Sequence, residues 1–200
     1  MTGKRLALLA VVVAVFAVAA DAAVPSIGSG VLPGTMIGKA PWGANDGRYL
    51  KQRLRAIGLH PLPAEGTKLH THSHLYVVVN GRIYPIPALI GINVQQRFVA
   101  ELHTHDISGI IHVESPTVRT FTLGEFFDVW GLRFTSRCLG GYCASGKKQV
   151  MVWVHGKRVT SDPRKIVLQP HLSIVVAYGT PASLKPLGPI PATYTFPPGY

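Results

Sequence analysis

Residues 69–84, LHTHSHLYVVVNGRIY, alternate in character and then turn back on themselves. Successive side chains of a strand point to opposite faces, so His70, His72, His74, Tyr76 and Val78 share one face, and Leu75, Val77 and Val79 the other. Asn80-Gly81 then offers two residues that tolerate positive φ, as a two-residue type I′ turn requires, and Arg82-Ile83-Tyr84 begins a returning strand. This stretch commits the chain to β-hairpins. It also places three imidazoles at one end of a strand.

Working outward, residues 95–105 (QQRFVAELHTH) and 109–115 (GIIHVES) form a second hairpin across Asp106 to Gly109. With that turn His103 stands opposite His112, and Glu101 opposite Glu114. A third hairpin, QVMVWVHGKRV (149–159), echoes the first in its polar-Gly turn followed by a basic residue, and PHLSIVVAYG (170–179) supplies a last strand. Two segments carry helical spacing instead. In residues 45–59 Leu50, Leu54 and Ile57 recur on one face with Arg and Lys opposite, Asn45 or Asp46 available as a cap, and Gly58 as a stop. In residues 122–131 Thr122 and Glu125 make a capping box and Leu123, Phe126 and Trp130 face inward. The fold class read from this is α+β and mainly β, a single domain of antiparallel hairpins with two short helices over residues 45–180.

The flanks differ from that domain. Lys4 and Arg5, the apolar run LALLAVVVAVFAVAA and the small residues after it have the order of a secretory signal peptide, residues 1–23, the alternative being an uncleaved anchor. Residues 24–44 have no period and read as coil or linker; residues 181–200 are too rich in Pro for a sheet interior and read as an extended tail. The protein is therefore expected to be exported, to the periplasm, the cell wall or the medium, with no transmembrane span after cleavage. Its formal charge of +11 favours anionic envelope polymers, while the absence of a basic run beside an aromatic ladder argues against specific nucleic-acid binding. Cys138 and Cys143, the only cysteines, close the Gly-rich loop CLGGYC as a disulfide in an oxidising compartment.

Six of nine histidines lie in two short windows, at period two. On a strand, His-x-His is a two-imidazole chelate, and cross-strand neighbours can supply further ligands at Zn–N distances of about 2.0–2.1 Å. Such a cluster predicts one divalent transition-metal ion, Cu or Zn, held by His72, His74, His103 and His105, with His112 next and His70 the weakest candidate. Asp106 reads as a turn residue and Glu114 as a surface carboxylate, both with a use in orienting imidazoles. His60, His155 and His171 fall in loop or turn positions outside the site.

With HTHDISGIIHVESP and FTLGEFFDVWG in view, the chain resembles an uncharacterised family of exported bacterial proteins, from the RLRAIGL helix to the TFPPGY tail. The resemblance implies export and no assigned activity. More loosely, the His-x-His motif is similar to the metal sites of cupins, small β-barrels that add a later Glu. Here no Glu follows His105 at that spacing, and His112 has no cupin counterpart. Three functions fit: an exported metal-binding protein whose His-x-His pairs lie on adjacent strands, a metalloenzyme with an open three-His site for hydrolytic or oxygen chemistry, or a basic module that binds envelope polymer. The sequence does not decide whether the protein is an enzyme.

Overall fold

The computed structural model describes residues 31–44, 47–185 and 188–200. Residues 1–23, read as a signal peptide, residues 24–30 and the proposed caps Asn45 and Asp46 lie outside them. In chain order the elements are α1 (Leu50–Ala56), β1 (Leu69–Val79), β2 (Arg82–Tyr84), β3 (Ile92–Asn93), β4 (Phe98–Val99), β5 (Leu102–His103), β6 (Ile110–Ser115), α2 (Leu123–Trp130), β7 (Cys138–Leu139), β8 (Tyr142–Cys143), β9 (Gln149–Val154), β10 (Lys157–Val159), a 3-10 turn (Pro163–Lys165), β11 (Leu172–Gly179) and α3 (Pro181–Leu184).

Seven strands form one mixed sheet in the order β10-β9-β11-β1-β6-β5, with β2 also paired to β1. The three expected hairpins are present. Asn80 and Gly81 (φ 49° and 84°) and His155 and Gly156 (φ 47° and 74°) adopt the positive φ values of a type I′ turn. The pairing of β1 with β11 is parallel, and local pattern did not announce it. A run such as Ile174 to Tyr178 is buried on both faces in the middle of a sheet, so it has no alternation from which a neighbour can be read.

Alternation along the strands sorts the side chains between two layers. On one face Leu75, Val77 and Val79 join Ile111, Val113, Ile174 and Val176, and α1 and α2 pack there through Leu54, Phe126, Phe127 and Trp130. Each such large side chain removed from water stabilises the fold by roughly 1.5–3 kcal/mol. The capping box of Thr122 and Glu125 starts α2, and Gly131 at φ 71° ends it. Helix α1 departs from expectation at two points. Its N-cap is Tyr49, with no side-chain cap, and Arg53, on the face expected to be solvated, is buried, donating to the carbonyls of Pro33 and Val129 at 3.3 and 3.2 Å.

The opposite face carries a smaller apolar cluster of Val78, Met151, Val175, Ala177 and Leu184, with Tyr76, Trp153 and Ile190 against it. Leu184 comes from α3, so the tail begins with one helical turn, capped by Thr180 and Ser183, before running on without regular structure. Cys138 and Cys143 are joined by the expected disulfide. Among the described residues no helix is long and apolar enough to cross a membrane.

Candidate metal centre

Beyond the small apolar cluster, the same sheet face turns polar. Register places His72 of β1 opposite His112 of β6, and His70 opposite Glu114. On the other side of β6, His103 of β5 stands opposite His112, as the hairpin arithmetic required. The strands that carry the two His-x-His pairs are therefore not neighbours. β6 separates them, and two inter-strand steps of about 4.8 Å each keep the pairs apart. Four imidazoles from β1 and β5 do not gather on one point.

They form two overlapping groups: His70, His72, His112 and Glu114, and His103, His105, His112 and Glu114, each with one ligand atom per residue inside 4.8 Å of the others. Within each pair the Nε2 atoms are 3.3 Å apart. Two nitrogens about 2.05 Å from a tetrahedral ion stand about 3.3–3.4 Å apart, so both pairs have the bite of a chelate. Glu114 Oε1 is 3.3 Å from His70 Nε2, 2.9 Å from His112 Nδ1 and 3.9 Å from His103 Nε2. His72, His103, His112 and Glu114 are buried, whereas His70 and His105 stand exposed at the rim.

Several contacts orient the rings. His103 Nδ1–H donates to the Ala100 carbonyl at 2.9 Å, which leaves the Nε2 lone pair for a ligand. His112 Nδ1–H donates to Glu114 in the carboxylate–imidazole arrangement common behind bound metals. The turn that aligns β5 with β6 depends on Asp106, which accepts the Ser108 N–H at 2.8 Å, and on Gly109 at φ 87°. A Cβ on Gly109 would lie 2.6 Å from the Leu75 carbonyl oxygen.

Burial sets the protonation states. Desolvation, helped by the neighbouring His112 and His70, lowers the His72 pKa from 6.5 to about 4, and desolvation lowers His103 to about 4 against the opposing pull of Glu114. Burial by itself would raise the Glu114 carboxyl, but the hydrogen bond from His112 and the imidazoles of His103 and His70 overcome it, leaving the pKa below its ordinary value. The centre is thus a buried carboxylate walled by imidazoles, of which burial holds His72 and His103 in the neutral form. Every ion-pair contact of Glu114 among the described residues is to a histidine.

Measured against the expected ligands, His103, His105 and His112 share one group, His72 joins His112 in the other, and His74 joins neither. His74 Nε2–H donates to the Ser108 carbonyl at 2.8 Å, its Nδ1 has no partner among the described residues, and its ring stacks on Tyr194 at 3.6 Å. Two residues beyond His72 on β1, it stands opposite Ile110 rather than another ligand. Conversely, His70 and Glu114 lie inside the cluster. Glu65 was not singled out at all, yet its Oε1 is 3.3 Å from His105 Nε2 and 3.8 Å from His103 Nε2. Nothing local marks Glu65; its loop is held in place because Gly66 lies flat against the Ser115 backbone, where a Cβ would not fit.

Beside the first pair opens a cavity of about 650 Å³, lined in part by His70, His72, Arg119, Thr120, His171 and Tyr200. The tail reaches this face: the Tyr200 ring is 4.7 Å from that of His72, and its carbonyl accepts from His171 Nε2 at 2.9 Å. His171, expected outside the site, therefore borders the cavity without joining either ligand group. No family model, curated protein or solved structure matches the chain.

Proposed function

We propose that this is an exported metal-binding protein whose sheet face holds divalent transition metal, Zn(II) or Cu(II), in the overlapping ligand groups formed by His70, His72, His103, His105, His112 and Glu114. The observation that carries the reading is Glu114 itself. A carboxylate only 2 % exposed, with histidines as its ion-pair partners, is costly to bury unless a cation offsets its charge. Imidazole and carboxylate together suit Zn(II) and Cu(II), and the desolvated rings are already in the neutral form that binding needs. The basic, apolar and small-residue order of the N-terminus and the Cys138–Cys143 disulfide support export.

A second reading, a metalloenzyme, is favoured by one observation: the cavity against His70 and His72 would let water or substrate reach an ion there. Calorimetric titration of untagged, metal-stripped protein with Zn(II) and with Cu(II) tests binding. The parent should bind at least one of the ions tightly, and the combined variant His70→Ala, His72→Ala, His103→Ala, His105→Ala should not. A folded quadruple variant that binds as tightly as the parent would sink the proposal.

A further inference from the structure

We infer that the centre is built for two ions, one on each His-x-His pair, with the Glu114 carboxylate between them; this rests on the metal-binding reading above. Three observations carry it. First, both pairs independently hold their Nε2 atoms 3.3 Å apart, so each is a complete chelate without help from the other. Second, β6 lies between β1 and β5, so the pairs meet only through the residues β6 contributes, and those are the two shared by both ligand groups, His112 and Glu114. A carboxylate has two oxygens and about four lone-pair directions, enough to accept the His112 N–H and still reach an ion on either side. Third, each pair has surroundings of its own. Glu65 stands over His103 and His105, while the cavity opens on His70 and His72.

The two positions would differ in use. The ion on His103 and His105 gains a second carboxylate from Glu65. The ion on His70 and His72 faces the cavity and keeps a coordination position for an exogenous ligand. Two ions that share one carboxylate, one of them with an open position, can clamp the attacking and leaving groups of a displacement reaction. The substrate class that this favours is an ester, phosphoester or amide small enough for the cavity.

Native mass spectrometry of the full protein, stripped and then titrated with Zn(II), counts the ions. Two per chain are expected for the parent, and one for the His70→Ala, His72→Ala variant and for the His103→Ala, His105→Ala variant. One ion in the parent at saturation would overturn the two-ion inference while leaving the metal-binding function standing; none would overturn both. Loading the parent with Cu(II) gives an independent readout that needs no variant. Two neighbouring Cu(II) ions should give a spin-coupled paramagnetic resonance spectrum, and Glu114→Gln should weaken that coupling. An uncoupled single-ion spectrum at saturating Cu(II) would count against the shared carboxylate.

Discussion

One strand face of this protein ends in two different ways. Toward the end of β1, Tyr76 and Val78 lie beneath Leu184 and Ile190, close to Met151, Val175 and Ala177, and the region is simple apolar packing. Toward its start, on the same face of the same strand, His70 and His72 lie among His112, His103 and Glu114. One end gains free energy from burial while the other must overcome the desolvation of four polar groups, His72, His103, His112 and Glu114. Natural selection for stability alone would have continued the valines. The proposed metal binding would account for the histidine end, and His74, between the two, belongs to neither: it is fully buried, hydrogen-bonded to Ser108 and stacked on Tyr194.

The most forceful way to break this contrast is to convert one end into the other. The double variant His72→Val, His112→Val replaces buried imidazoles that face each other by the residue type found at positions 77–79. Calorimetry with Zn(II) should show affinity falling by more than the roughly 10–100-fold that loss of a merely supporting residue costs. The metal-free variant should melt below the metal-free parent, because Glu114 is left buried without its His112 partner, and adding Glu114→Leu, which removes the orphaned charge as well, should restore the loss. Retained affinity would mean that the histidines serve packing.

A middling effect concerns pH. His72, His74 and His103 have folded pKa values of about 4 against an ordinary 6.5. Between those values the unfolded chain takes up protons that the folded chain refuses, so stability is fully present above pH 6.5 and declines as pH falls to about 4. The slope approaches about 1.4 kcal/mol per pH unit for each such group. Thermal denaturation of chelator-treated protein from pH 7.5 to pH 4 should show this decline, and added Zn(II) should raise the melting temperature most at the upper end, where imidazole is neutral. A melting temperature flat across that window would contradict the burial of these rings.

The smallest expected effect is the sharpest test of the boundary. His74→Leu should leave Zn(II) affinity within about twofold of the parent, well under the 1.4 kcal/mol that a tenfold change represents. It should also reduce the acid sensitivity of the metal-free protein. A tenfold loss of affinity would place His74 inside the centre after all.

Much of this architecture was legible in the chain. Period-two alternation separated Leu75, Val77 and Val79, which lie in the core, from His70 and His72 on the other face, because a pleated strand leaves no third direction. Positive-φ turn residues located the hairpins at Asn80-Gly81 and His155-Gly156, and the Asp106–Gly109 turn set His103 opposite His112. The Thr122–Glu125 capping box and the Cys138–Cys143 disulfide were equally readable, since both join residues close in sequence.

What only the tertiary structure decided was which strand lies beside which. Hairpin contacts follow from nearest neighbours along the chain, but the pairing of β1 with β6 spans 35 residues or more of separation and that of β1 with β11 nearly a hundred, and no local preference encodes either. With β6 inserted between the two pairs, one expected four-imidazole site became two groups hinged on His112 and Glu114. The same long-range packing brought in Glu65 and turned His74 away. The residue types and their spacing determined that this face would carry paired chelates; the order of strands determined how many groups they make, because ligand geometry is fixed by distances that only the folded sheet sets.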